Sequence, residues 1–172
     1  MEIIIIVLLL ASLFGVWLVS VRRKLELQEE NIQNAMHQTL VQLSAERESL
    51  ERLAELLGHT MDAETFRKMK LSLESAQNVE MTGMPEWIAE QRELLRVQKN
   101  IAEISETMPL LQAQETYQKY WKATKSYEHM VKTSELIYND SVENYNCMLH
   151  RIPDRIAAGI CGYHRKKLIE IM

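Results

Sequence analysis

The stretch from Ile3 to Val21 reads IIIIVLLLASLFGVWLVSV, and none of its residues is charged. As a helix it would be about 28 Å long, close to the hydrocarbon thickness of a bilayer. Three basic residues, Arg22, Arg23 and Lys24, follow at once. We therefore predict that residues 1–24 form a membrane anchor with a basic flank. The residues assigned to the bilayer include Ile3, Leu10, Phe14, Trp17 and Val21.

This apolar stretch has two interpretations, a retained anchor or a cleaved leader that leaves a soluble secreted protein. A secretory leader carries positive charge before its apolar run and a small-residue cleavage site after it. Here Glu2 precedes the run and no Ala-x-Ala site follows it, which favours the anchor. Lys and Arg beside a span stay in the cytoplasm. We expect a single-pass protein of the cell membrane, with its N-terminus outside and residues 22–172 in the cytoplasm.

The composition of the chain predicts an all-α fold. Its 172 residues include only 5 glycines and 3 prolines, so few positions interrupt a helix. The signals of strands, alternating β-branched runs and Asn-Gly turns, are missing from the sequence. The formal net charge is −4, and acidic residues outnumber basic ones between residues 25 and 146. Because this body repels phosphates, we expect no nucleic-acid partner.

Apolar periodicity predicts four cytoplasmic helices, two long and two short. Their expected bounds are about 25–57, 62–81, 86–106 and 110–152. Short connections favour antiparallel neighbours. The anchor helix is therefore predicted to continue into an elongated antiparallel four-helix bundle, or coiled coil, over residues 25–152. Residues 153–172 would return to the membrane as a basic segment.

Each long helix has one apolar seam, a row of residues at alternating spacings of three and four. This spacing is typical of a coiled coil. The first seam has one step of seven in place of three and four, and it consists of Ile32, Met36, Thr39, Leu43, Leu50, Leu53 and Leu57. The last helix has a seam of Trp121, Thr124, Glu128, Val131, Glu135, Tyr138, Val142, Tyr145, Leu149 and Ile152.

Two Tyr-Asn pairs and two glutamates of the last helix are predicted to fix packing and register. Tyr138 and Tyr145 lie on the seam, where the ring is buried and the hydroxyl reaches a partner. Asn139 and Asn146 lie beside it, where an amide can bond across helices or fix register.

The seam glutamates, Glu128 and Glu135, need partners, because a buried carboxylate alone is unfavourable. We expect Arg47 and Arg52 of the first helix to supply them. A paired-carboxylate metal site is the alternative interpretation. Ferritin-like sites require Glu-x-x-His pairs, and the chain has none.

A second metal-binding pattern joins Cys147-x-x-His150 to Cys161-x-x-His164, since zinc accepts these four ligands. Cys147 lies off the seam of its helix, which argues against the site. We therefore predict no metal, no cofactor and no catalytic residue.

Basic residues are concentrated at the two ends of the cytoplasmic part. Each such charge can contribute about 1 kcal/mol beside an anionic membrane surface. We predict contact with lipid headgroups for Arg22, Arg23, Lys24, Arg165, Lys166 and Lys167. A solvated tail is the alternative for the C-terminal set.

Several motifs in the second half of the chain form a family pattern. They are Pro109-Leu110-Leu111-Gln112-Ala113, Tyr117, Tyr138-Asn139-Asp140-x-Val142-x-x-Tyr145-Asn146, Ile152-Pro153, Ala158 and Gly162-Tyr163. In these residues the chain resembles the LemA family of bacterial membrane proteins, although Tyr127-Glu128 and Glu135 depart from the family's pattern. The resemblance implies a single-pass inner-membrane protein with a long antiparallel helical domain. It implies no enzymatic activity.

We therefore expect a structural protein: a membrane-anchored helical scaffold that self-associates and organises lipid or partner proteins at the cytoplasmic face. The alternative is an adaptor or signalling module that couples a membrane protein to the cytoplasm through the first helix. A metal-binding protein is a third alternative. The expected partners are membrane lipid and further copies of the chain, and an enzyme is not expected.

Overall fold

A computed structural model describes residues 1–58, 61–77 and 84–169, and the part of the chain within these bounds is all-helical, without a strand. The fold class predicted from composition is confirmed to that extent. The helices are α1 (Glu2–Gly58), α2 (Ala63–Gln77), α3 (Met84–Glu106), α4 (Pro109–Gln112), α5 (Glu115–Met148) and α6 (Asp154–Cys161).

Helix α1 joins the predicted anchor and the predicted first cytoplasmic helix without a break. The absence of glycine and proline between Val16 and Leu57 removes the residues that end helices. The helix ends at Gly58, as predicted. A Cβ at Gly58 would lie 2.7 Å from Cε2 of Phe66, so the missing side chain makes room for that ring.

Helix α2 begins where predicted, because Asp62 caps it. Its Oδ1 accepts hydrogen bonds from the backbone N–H groups of Glu64 (3.1 Å) and Thr65 (2.9 Å), the usual role of an N-cap carboxylate. Hydrogen bonding to Thr65 lowers the pKa of Asp62. The predicted end of this helix near residue 81 lies outside the described residues. Helix α2 then packs against α3.

The helix predicted over residues 110–152 is interrupted and shorter than expected. Between α4 and α5 the Gln114 N–H binds the Leu111 carbonyl in a tight turn, and the Gln118 side chain donates to the Gln112 carbonyl. The backbone groups at this break are thus satisfied without a continuous helix. Helix α5 ends at Met148, ahead of Pro153, because the chain tightens into turns before the proline.

The described residues form two compact units, and α1 and α5 contribute to both. The first unit contains Met1–Met36 and Glu135–Met172, and the second contains His37–Ser134. The core of the first unit consists of Val21, Leu25, Ile32, Ala35, Tyr138, Val142, Tyr145, Ala157, Ala158 and Ile169. The core of the second includes Leu43, Leu50, Leu53, Leu57, Met69, Leu73, Trp87, Leu94, Val97, Ile101 and Val131.

The two long seams are largely buried, as their periodicity predicts. At the edges of the pattern the prediction fails. Met36 and Trp121 are half-buried, and Ile152 is 79% exposed, because α5 has already ended. The step of seven between Leu43 and Leu50 contains a buried residue, Glu46, whose side chain is 1% exposed.

Candidate functional site

The predicted anchor presents a large exposed apolar surface. Its most apolar window of 18 residues has a mean hydropathy of 2.8 and is 0% buried. Ile3, Leu10 and Phe14 are exposed, whereas Trp17 is half-buried. Val21 is 2% exposed, so it contributes to the core of the first unit. By length and composition, α1 can cross a membrane.

The basic residues predicted to contact lipid differ in their partners. Arg22 pairs with Glu26 across one helical turn, with Nε 2.7 Å from Oε1. Lys166 is more restrained, because its Nζ lies 2.9 Å from Glu29 Oε1 and 5.5 Å from the centre of the Tyr145 ring. The exposed members of the set are Arg22, Arg23, Lys24, Arg165 and Lys167. Headgroup contact by these residues stays a prediction.

Asn139 and Asn146 hold the C-terminal segment, residues 163–169, against α5. Asn146 Nδ2 donates to the Lys166 carbonyl at 2.8 Å, and its Oδ1 accepts from the Lys166 N–H at 3.0 Å. Asn139 forms the same pair of hydrogen bonds with Ile169, at 2.8 and 2.9 Å. Each amide thus satisfies both backbone groups of one residue, as a neighbouring strand does in a sheet.

The spacing of the two asparagines explains this fit. Seven helical residues rise about 10 Å, and three extended residues also cover about 10 Å. Because Asn146 binds residue 166 and Asn139 binds residue 169, the segment is extended and runs antiparallel to α5. We predicted that the asparagines bond across helices or fix register. They bind a non-helical segment, because a helix has no spare backbone groups to offer.

The tyrosines of the same two pairs are buried, as their seam positions predict. Tyr138 and Tyr145 are 2% and 1% exposed, and the Tyr138 hydroxyl donates to the Lys167 carbonyl at 3.3 Å. Burial raises the pKa of Tyr138. Burial, followed by the charge of Glu29, raises the pKa of Tyr145 to about 12. Both phenols therefore keep their protons at neutral pH.

In the second unit a buried ion pair joins α1 to α3. Arg47 Nη1 donates to Glu90 Oε1 at 2.9 Å, and the two side chains are 13% and 2% exposed. Burial raises the pKa of Glu90, and the Arg47 charge opposes this shift. Arg52, which we expected to partner a seam glutamate, binds the exposed Glu55 of its own helix at 3.1 Å.

Glu128 is neutralised by lysines of its own helix. Lys125 and Lys132 approach its carboxylate at 3.0 and 3.1 Å, and Gln98 of α3 donates to it at 3.2 Å. Burial raises the pKa of Glu128, but these hydrogen bonds outweigh it and the net shift is downward. The carboxylate lies at the solvent-exposed edge of the seam, and the Glu128 side chain is 18% exposed. Glu135, in the first unit, is 1% exposed.

Glu46 is the functional candidate that sequence reasoning missed. It lies three residues after Leu43 and four before Leu50, so it completes the spacing of the first seam. This spacing predicts a buried position, but the step was not recognised because glutamate is polar. Its buried Oε1 has no hydrogen-bond partner within the described part of the chain. Burial, followed by the charge of Glu128, raises the pKa of Glu46 to about 7. The second unit therefore holds a carboxyl group that titrates near neutral pH.

The four candidate zinc ligands do not form a cluster within the described residues. Cys147 is half-buried, and Cys161, His150 and His164 are exposed. Over the described ranges, no three or more His, Cys, Asp and Glu side chains are grouped to hold a metal ion.

Over the described residues the protein is all-helical, with one N-terminal helix that is long and apolar enough to cross a membrane. A model of the LemA family matches residues 18–172, which is most of the chain. The chain therefore belongs to the LemA family. A search of curated proteins found no match.

Proposed function

We propose that this protein is a membrane-anchored helical scaffold that self-associates and organises lipid or partner proteins at the cytoplasmic face. The observation that carries the proposal is the exposed apolar start of α1, with residues 1–16 all exposed. Apolar surface of this extent marks a site of interaction with a membrane or a protein. Its length matches a bilayer.

The proposed orientation has the N-terminus outside and the helical body in the cytoplasm. Arg22, Arg23 and Lys24 directly follow the span and are exposed. Positive charge beside a span favours the cytoplasmic side. The sequence motifs resemble those of a family of bacterial membrane proteins. We therefore propose the inner membrane as the location.

An antiparallel bundle is the proposed arrangement of the cytoplasmic helices, and contacts within the second unit support it. Gln42 of α1 accepts a hydrogen bond from Ser134 of α5 at 2.8 Å. Glu46 of α1 lies near Glu128 of α5, since the charge of Glu128 contributes to the raised pKa of Glu46. Residue numbers therefore rise along α1 as they fall along α5.

The contacts between α3 and α5 also support an antiparallel arrangement of these two helices. Gln98 binds Glu128 at 3.2 Å, and Ser105 accepts a hydrogen bond from the Tyr117 hydroxyl at 2.8 Å. As numbers rise along α3, they again fall along α5. These directions support the proposed up-and-down bundle.

Self-association has two candidate surfaces. In the span, Ala11 and Gly15 form a pair of small residues, and a Cβ added at Gly15 would have nothing within 4 Å. Small residues at this spacing let two membrane helices approach closely. In the first unit, the second candidate surface lies on α5 and includes Leu136 and Ile137, which are 58% and 47% exposed.

Light scattering of the full-length protein in detergent and in lipid nanodiscs tests the scaffold. We expect an oligomer, and we expect Gly15→Leu to shift it toward smaller species if the span contributes. Leu9→Ala serves as the matched control, because it changes side-chain volume on the exposed span outside the small pair. A strict monomer that also leaves vesicles unchanged would contradict the scaffold.

The adaptor alternative is favoured by the continuity of α1 from the span into the body. Photo-crosslinking from residues 3–21 in cells distinguishes the two functions. Products of twice the chain's mass support self-association, whereas products with another membrane protein support the adaptor.

A further inference from the structure

Helix α6 exposes its apolar side and buries its small residues. Ile156 and Ile160, one turn apart, are 56% and 63% exposed, and Ile152 just before the helix is 79% exposed. On the opposite side Ala157 and Ala158 are 1% and 2% exposed. A surface helix normally exposes its polar residues to solvent. The exposed isoleucine face of α6 therefore indicates a surface that binds a partner.

The end of α6 lies beside the point where α1 leaves the predicted span. Gly162 ends the helix with a φ of 75°, a left-handed conformation that favours glycine. The Tyr163 N–H then binds the Ala158 carbonyl at 3.0 Å. The pKa of Arg22 is raised by Glu26 first, and then by Tyr163 and Cys161, which requires these two residues to lie near Arg22.

Two further contacts fix this placement within the first unit. Lys166 pairs with Glu29 at 2.9 Å, two turns of helix beyond Arg22. Asn146 holds the backbone of Lys166 on α5. The segment that follows α6 is therefore bound to both long helices, close to the residues that follow the predicted span.

The charges around α6 suit an anionic surface. Arg151 and Arg155 precede Ile152 and Ile156 in the sequence and are exposed, as are Arg165 and Lys167. A helix that lies in a membrane interface has an apolar face in the acyl boundary and basic residues beside the headgroups. Both features are present here, next to a helix that can cross the bilayer.

We propose that α6 is an interfacial membrane helix, with Ile152, Ile156 and Ile160 inserted into the anionic leaflet from which α1 emerges. This inference rests on the proposed anchoring of α1. It adds a second, non-spanning attachment, so the first unit is held to the membrane at two places. The predicted headgroup contacts of Arg165 and Lys167 would follow from it.

A fluorescent probe tests the insertion in the full-length protein. The background is Cys147→Ser with Cys161→Ser, and Ile160→Cys receives an NBD label. The protein is placed in vesicles of phosphatidylethanolamine and phosphatidylglycerol, with or without brominated acyl chains. We expect a blue-shifted emission and roughly twofold quenching by the brominated lipid, because interfacial helices reach about 5–10 Å below the headgroups.

A label at Leu110→Cys, at an 87% exposed residue of the second unit, is the matched control and should respond only to aqueous iodide. Adding Ile156→Asp to the Ile160 variant should restore iodide quenching, with unchanged helical circular dichroism. Iodide quenching of the Ile160 probe equal to that of the Leu110 probe would overturn the proposal. A blue shift without lipid quenching, together with disulfide dimers at Ile160→Cys, would also overturn it and assign the face to a second copy.

The same samples separate this inference from the scaffold. Extraction of the protein from vesicles by alkaline carbonate would refute the anchor itself. A monomeric mass with strong lipid quenching would refute self-association and support α6 docking.

Discussion

Asn146 pairs with Lys166 through both backbone groups of the lysine, at 2.8 and 3.0 Å. A side chain of α5 thereby acts as one residue of a β-ladder for the chain that follows α6. The same lysine reaches Glu29 of α1 with its ammonium group. One residue of the C-terminal segment therefore connects with both long helices of the first unit.

Replacing Asn146 with alanine should release the C-terminal segment. Two hydrogen bonds are lost, each with a net contribution of about 1 kcal/mol, or about 2 kcal/mol in total. We expect protection of the Lys166 amide from hydrogen exchange to fall by roughly 30-fold. Hydrogen exchange of the full-length protein in nanodiscs measures this.

Asn144→Ala is the matched control for that variant. Asn144 lies on the same helix but donates to the exposed Asp140 side chain at 3.1 Å. Its loss should leave exchange of residues 163–169 unchanged. Equal exchange in the two variants would show that the asparagine pairing does not hold the segment.

Arg47→Ala should destabilise the second unit by about 3 kcal/mol, because it leaves the Glu90 carboxylate buried without its cation. Arg52→Ala, on the same helix, should have no measurable effect, since its pair with Glu55 is exposed. Thermal unfolding followed by circular dichroism compares the two.

The double variant Arg47→Met with Glu90→Leu distinguishes a lost charge partner from lost packing. Replacing both members of a buried pair by apolar residues is often neutral. We therefore expect the double variant to recover most of the stability that Arg47→Ala loses. A double variant as unstable as the single one would contradict this account of the pair.

Glu46 should make the second unit less stable as the pH rises from about 4.5 toward neutrality. Its pKa in the folded protein is about 7, against a model value of 4.5, so the folded state binds the extra proton between these values. Stability is full below about pH 4.5 and falls until about pH 7, by about 3 kcal/mol in all. Denaturant unfolding across this pH range measures the slope.

Glu46→Gln should remove this slope and raise stability above pH 7, because the amide stays neutral. Glu48→Gln is the control, since Glu48 is exposed on the same helix and should leave the slope in place. The lowered pKa of Glu128 acts in the opposite sense, with stability present above its unfolded value and lost at more acidic pH. A slope retained in Glu46→Gln would assign the titration to another group.

Glu29→Gln should lower the pKa of Tyr145 from about 12, because it removes the negative charge that opposes ionisation of the phenol. The pKa should remain above 10, the usual value, because burial is the larger cause of the shift. Ultraviolet titration measures it, with Tyr145→Phe identifying the signal. An unchanged pKa in Glu29→Gln would mean that the two side chains do not interact.

Much of the helical structure could be predicted because its causes are local. The run of uncharged residues from Ile3 to Val21 indicates a span, and seam spacing predicts the burial of Leu43, Leu50, Tyr138 and Tyr145. The cap at Asp62 and the end at Gly58 are also local signals. The break between α4 and α5 was missed. Only Ala113 and Gln114 separate these helices, and neither is a proline or glycine that would indicate a turn.

Local sequence thus determined the helices, the apolar start of α1 and the buried faces, since backbone hydrogen bonds and side-chain period act over a few residues. Only the tertiary structure decided what the polar residues do. Asn139 and Asn146 find their partners 30 and 20 residues away, and Arg47 finds Glu90 across 43 residues. The pKa of Glu46 depends on burial and on charges from other helices, because electrostatic interactions and solvent exclusion follow distance in space rather than position along the chain.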